Sequence, residues 1–120
     1  MTNYTSKPRN FGYVEKFIEP CILLLLSKNS SHGYGLMEGL EKHCGEKVDI
    51  GNLYRTLRKM EKNEWIKSDW GKGSIGPNKR KYEITGKGKI TLEEAHTSLK
   101  QTQSLINHFF VGYKKVFGKE

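Results

Sequence analysis

The spacing of apolar positions divides the chain into four helical stretches and one alternating stretch. From Tyr13 to Ser27 an apolar-rich pattern containing "CILLLL" reads as a first helix, with Pro20 interrupting it or marking its first turn. Beyond Pro20 it is apolar almost all round, as expected of the central core helix. "KNSSHG" breaks the pattern, and Ser30 or Ser31 is placed to cap a second helix over "GYGLMEGLEKHC", which Gly45 closes. Asp49 is a cap for a third helix, in which Ile50, Leu53, Leu57 and Met60 step by three, four and three. That stripe commits one face to a core and leaves Asn52, Arg55, Arg58 and Lys59 on the other.

After "KN" and Trp65 the period changes. "EWIKSDWGKG" alternates imperfectly and "KRKYEIT" more cleanly, with "GKGSIGPNK" between them, so the pair reads as a β-hairpin with a long glycine-rich tip. The last helix starts at Thr85 or at the capping box "TLEE" of residues 91–94, Gly86 and Gly88 weakening any earlier turn. Leu92, Ala95, Leu99, Thr102, Ile106, Phe109, Tyr113 and Val116 form a heptad seam along it, widened by Phe110 and Phe117. A helix of ~25 residues is about 37 Å long, more than so small a domain covers. A second copy of the chain is the expected partner for its far end.

The 120 residues suffice for one modest core. A 35% hydrophobic content excludes a mostly membrane-embedded chain, and 11% aromatics argue against wholesale disorder. The longest apolar run, Cys21 to Leu26, falls far short of the roughly 20 residues of a membrane span, and "MTNYTSKPRN" does not read as a signal peptide. A cytoplasmic protein with no membrane partner is expected. Cys21 and Cys44 supply neither a disulfide framework nor a metal spacing and read as reduced, mostly buried thiols.

Charge changes the picture once it is located. Residues 51–90 hold eleven Lys or Arg against four acids, a net of +7, whereas the other 80 residues carry ten cations against nine acids. A basic segment so concentrated attracts polyanions, nucleic acid first. Three helices, a hairpin with a basic tip and a trailing helix are the order of a winged helix-turn-helix: mainly α with a small β-hairpin. In that arrangement helix 49–63 enters the major groove and the 71–80 wing meets an adjacent groove or phosphates. Asn52 and Arg55, on the first exposed turns, are placed for base contacts. Arg58 and Lys59, a turn further on, are placed for phosphates.

Three blocks of the chain, "ILLLLSKNSSHGYGLMEGLE", "GNLYRTLRKMEKNEWI" and "GPNKRKYEITGKGK", resemble in order and spacing those of the PadR family of transcriptional regulators, whose members look like "LHGYEL", "GTLYPLLRRLEEEGLI" and "GPPRKYYRLTxxG". The resemblance covers about residues 18–90, and the short C-terminal part looks like the subgroup with a single dimerising helix. It implies DNA contact at Tyr34, at Asn52, Tyr54, Arg55 and Arg58, and at Lys79, Arg80 and Lys81 of the wing. Asn52 stands where Thr or Ser is common and Arg55 where Pro is common, which bears on the operator sequence. The resemblance also implies repression, with an effector site in or near the dimer interface of some members.

The expected organisation is a flexible arm over 1–12, a winged helix-turn-helix over 13–88 and a dimerisation helix over 89–118, whose contacts are Leu92, Ala95, Leu99, Ile106, Phe109, Tyr113 and Val116. Phe110 and Phe117, with Trp70, form a candidate pocket for a small aromatic or cationic effector, against the alternative that they are dimer core. No cofactor is expected. His43 and Cys44 project about 100° apart on a helix, and His96 and His108 share no face, which leaves a metal only a site between two chains. Neither paired carboxylates nor a nucleophile motif points to an enzyme. The alternative to a homodimeric DNA-binding regulator is a winged-helix protein-interaction module whose basic surface meets an acidic partner.

Overall fold

A computed structural model describes residues 16–70 and 80–119. Helix α1 spans Ile18–Lys28, and Lys16, at φ 59°, has a backbone that no right-handed helix contains; residues 13–15 of the expected helix lie outside the described residues. Pro20 lies in its first turn, where its missing N–H leaves no helical bond unmade. Cys21, Ile22, Leu23 and Leu26 are buried, which makes this the central helix.

A two-residue strand, β1 (Ser31–His32), precedes α2 (Gly33–Cys44). The expected Ser30 or Ser31 cap is absent: His32 occupies the capping position with no side-chain bond to the helix. Ser31 is held in the sheet opposite Tyr82, and its hydroxyl donates to the His32 carbonyl at 3.1 Å instead. Gly45 ends α2 with φ 70°, the left-handed conformation that glycine adopts without a Cβ penalty.

Asp49 caps α3 (Ile50–Lys62) as its sequence predicts, its carboxylate accepting from the Asn52 N–H at 2.8 Å. Leu53, Leu57 and Met60 are completely buried against Leu36, Leu40 and α1. The hairpin strands are β2 (Ile66–Asp69) and β3 (Lys81–Ile84), paired antiparallel with Ile66 opposite Ile84 and Ser68 opposite Tyr82. β1 adds to the other edge of β3, giving the order β1-β3-β2. The expected N-terminal arm and the glycine-rich tip over 71–79 lie outside the described residues.

Helix α4 (Gly86–Phe117) runs 32 residues, about 48 Å at 1.5 Å per residue. Its start is settled at Thr85. The Thr85 hydroxyl accepts from the Gly88 N–H at 3.0 Å and donates to the Glu64 carbonyl at 2.6 Å, tying α4 to the turn after α3. Thr91 is inside the helix, its hydroxyl donating to the Lys87 carbonyl. Gly88 is required by proximity: a Cβ there would lie 2.8 Å from an Ile84 side-chain carbon and overlap the Trp65 carbonyl. The first third of α4 packs on α1 through half-buried Leu92, Ala95 and Leu99. Beyond them Ile106, Phe109, Phe110, Val116 and Phe117 are exposed. Among the described residues no helix is long and apolar enough to cross a membrane.

Candidate nucleic-acid interface

The polar face of α3 is ordered from its cap. Asp49 uses one carboxylate oxygen for the Asn52 backbone and the other for the Asn52 side-chain amide, at 2.8 Å each. The Asn52 carbonyl oxygen in turn accepts from the Arg55 guanidinium. Asn52 and Arg55 are both exposed, so the two side chains expected to meet bases present their remaining donors from a shared, fixed platform. A cap residue therefore also orients the first two turns of the helix.

Tyr54 sits between this face and the core. Its ring lies against Gly33 at the start of α2, where a Cβ would come within 2.8 Å of the ring carbon bearing the hydroxyl. Burial, then the nearby Tyr34 phenol, raises the Tyr54 pKa, so its hydroxyl stays protonated and remains a donor. Tyr34 itself is half exposed beside it. Tyr54 thus packs its ring against the core, whereas Tyr34 stands half in solvent.

Lys59 is also exposed, but its ammonium pairs at 3.1 Å with Glu19 in the first turn of α1. It is thereby held toward the scaffold helix, unlike Arg55.

Arg58 lines a cavity of about 360 Å³ between α3 and the hairpin, together with Tyr54, Glu61, Trp70, Arg80 and Tyr82. Strand alternation places Arg80, Tyr82 and Ile84 on one face of β3 and turns Lys81 to the other, where it is exposed. Arg80 is fixed from three sides: its guanidinium stacks 4.6 Å over the Trp70 ring, it donates to Ser68 Oγ at 3.0 Å, and its carbonyl accepts from the His32 ring at 3.3 Å. Because a carbonyl only accepts, His32 Nδ1 must carry the proton. The Ser68 hydroxyl in turn donates to the Glu61 carboxylate at 2.6 Å. The Tyr82 phenol beneath has a raised pKa, chiefly from burial and then from Glu61, partly offset by Arg80 and Arg58. Glu61, Ser68 and His32 were not among the expected DNA-facing residues. A carboxylate one turn beyond Arg58 carries no sequence signal of its own, and His32 lies in the "KNSSHG" stretch that reads as a break between helices. Lys79 lies outside the described residues.

The expected effector pocket is not assembled as one site. Trp70 belongs to the wing-base cavity, because it follows β2 on the face that meets Arg80, whereas Phe110 and Phe117 are exposed far along α4. There Phe109 contacts Phe110 and Tyr113, and Tyr113 contacts Phe117 with ring centroids 4.7 Å apart. A separate apolar groove of about 610 Å³ lies between α1 and the first third of α4, lined by Pro20, Leu24, Ile90 and Leu99 among others. Among the described residues no cluster of three or more His, Cys, Asp or Glu is arranged to hold a metal ion.

Three helices with a three-stranded sheet, a recognition-type helix carrying exposed arginines and a long trailing helix define a winged helix-turn-helix DNA-binding protein. Residues 22–94 match the family model of the PadR-like transcriptional regulators, and the chain belongs to that family. Among solved structures it is similar to a PadR-like transcriptional regulator of Bacillus cereus, at 33% identity over 78% of this chain and 90% of that one with a TM-score of 0.67. It is also similar to a transcriptional regulator of Clostridium thermocellum, at 25% identity over 78% and 89% of the two chains with a TM-score of 0.70. An uncharacterised protein of Lysinibacillus sphaericus is 26% identical over 97 residues, 79% of this chain and 89% of its own.

Proposed function

We propose that the chain is a sequence-specific repressor that binds double-stranded DNA as a homodimer, with α3 in the major groove and the hairpin on the adjacent groove or phosphates. The observation that carries this reading is the Asp49–Asn52–Arg55 chain of hydrogen bonds, which presents an amide and a guanidinium from the exposed first turns of α3. These are the side-chain types that pair bidentately with adenine and guanine edges. Arg58 and Arg80 flank them as phosphate contacts, and Tyr34, Tyr54 and Lys81 extend the same surface. Lys59 is the weakest contributor because Glu19 already neutralises it.

Unfilled apolar surface supports the homodimer. The distal half of α4 and the groove between α1 and α4 are both exposed in a single copy. Two antiparallel copies bury both and set two recognition helices at a fixed spacing. An aromatic or cationic effector would meet Phe110 and Phe117 at that seam, without Trp70.

The test is fluorescence anisotropy on duplexes tiled across the region upstream of the protein's own gene, repeated at several salt concentrations. Expected are one preferred segment, affinity falling steeply as salt rises, and loss of a reporter's repression when that segment is scrambled. Affinity indifferent to salt, with no preference over competitor DNA, would overturn the reading in favour of a protein-interaction module.

A further inference from the structure

Glu61 presents a paradox for a DNA-binding face. It is an acidic residue lining the same cavity as Arg58 and Arg80, and through-space repulsion from phosphates makes it a liability there. Its bonding accounts for its presence. The Ser68 hydroxyl has one proton; because it is donated in a hydrogen bond to Glu61 at 2.6 Å, the Ser68 lone pairs are turned toward Arg80, whose Nη1 donates at 3.0 Å. The Trp70 ring covers the guanidinium's flat side at 4.6 Å. An arginine anchored by one edge and one face holds the plane of its remaining N–H groups in one orientation and loses less side-chain entropy on meeting a phosphate.

We infer that Glu61, acting through Ser68, and Trp70 are positioning residues that hold Arg80 in the orientation in which it meets a DNA phosphate at the junction of α3 and the wing base. The inference rests on the DNA-binding reading above, and its sign is opposite to simple electrostatics. Deleting a carboxylate near DNA ordinarily strengthens binding. Here Glu61→Ala leaves Ser68 without its acceptor, frees Arg80 and weakens binding.

The experiment is a double-mutant cycle of Glu61→Ala with Arg80→Ala, read as duplex affinity at fixed salt, with thermal midpoints confirming that each variant is folded. Glu61→Ala is expected to lower affinity roughly three- to tenfold, the range of a lost hydrogen bond. It should have no effect, or tighten binding, once Arg80 is Ala. Glu61→Gln, which keeps an oxygen acceptor, restores affinity, and Trp70→Phe keeps more of it than Trp70→Ala. A tightening by Glu61→Ala in the wild-type background, or an equal loss with and without Arg80, overturns the inference. In a Trp65→Phe protein without DNA, Glu61→Ala should shift Trp70 emission toward that of Arg80→Ala. An unshifted spectrum also counts against the positioning role. A wild-type protein that ignores duplex DNA while this spectral shift persists would refute the DNA-binding reading and leave the Arg80 anchor standing.

Discussion

Gly33 and Tyr54 occupy the same space: the start of α2 has no side chain because the Tyr54 ring, projected from α3, fills the volume where a Cβ would be. The contact packs the start of α2 directly against α3. Gly33→Ala is expected to destabilise the protein by about 1–3 kcal/mol, since the hydroxyl end of the Tyr54 ring would have to leave the volume that the Cβ takes. Urea unfolding checks it, and adding Tyr54→Ala should recover part of the loss. Strict additivity of the two changes would show that they do not compete for that volume.

Asp49 has two separable duties. Asp49→Ala removes the helix cap and should cost about 1 kcal/mol of stability. It also releases the Asn52 amide, and with it Arg55. Asp49→Ser keeps an acceptor for the Asn52 N–H but cannot hold the side-chain amide as well. It should therefore keep near-native stability while losing discrimination between preferred and competitor duplex. The salt dependence should be unchanged, because Arg55 keeps its charge.

The periodic features were legible in the sequence. The stripe Ile50, Leu53, Leu57 and Met60, the Asp49 cap and the Gly45 stop all depend on residues within a turn of one another, and the structure has them as read. What failed depended on contacts distant along the chain. Ser31 reads as a cap until β3 arrives to pair with it 51 residues later. Thr85 outranks Thr91 because the Glu64 carbonyl lies above it, a fact of tertiary packing. Trp70 looked available to the α4 aromatics because all are large and unplaced. The alternation of β2 instead hands it to Arg80. Of the candidate interface, the exposure of Asn52, Arg55 and Arg58 could be read from helical geometry, whereas the Glu61–Ser68–Arg80 relay needed the fold.

Glu64 has φ 66°, in the left-handed region where a Cβ is strained, and the family pattern "EEEGLI" has glycine at this place. Its ion pair with Lys87, at 3.8 Å between two exposed side chains, offsets little of that strain. Glu64→Gly is expected to raise stability by about 0.5–1 kcal/mol, the removed strain exceeding the added chain entropy of glycine. The urea midpoint should rise without a change in slope. Glu64→Ala, which keeps the Cβ, should give no such gain.

Burial pushes the Cys21 thiol up to about 12 from its ordinary 9.0, with the hydrogen-bonded Cys44 thiol and the charge of Glu46 adding to the effect. The folded state thus holds this proton more tightly than the unfolded chain. The contribution to stability is complete below about pH 9 and is lost as pH rises toward about 12. Burial raises the Tyr54 and Tyr82 phenols in the same sense. Urea midpoints at roughly pH 8 and roughly pH 10.5 should fall for the native protein and fall less for Cys21→Ala. Equal declines would show that Cys21 contributes nothing to the alkaline loss.

The far half of α4 tests the assembly. Leu92, Ala95 and Leu99 are half-buried by the chain's own α1, but the same seam continues into Ile106, Phe109 and Val116, which are 42%, 65% and 74% exposed. The proposed dimer places a partner helix on this open end of the seam. Phe109→Glu places a charge in that seam and should convert a dimer to a folded monomer at micromolar concentration, read by sedimentation. Affinity for a two-half-site duplex should fall far more than affinity for a single half-site, since the monomer loses the linkage between two recognition helices rather than the contacts of either. A wild-type protein that sediments as a monomer would remove the basis for a symmetric operator. A dimer that survives Phe109→Glu would move the interface to the groove between α1 and α4, where Leu24→Glu is the corresponding probe.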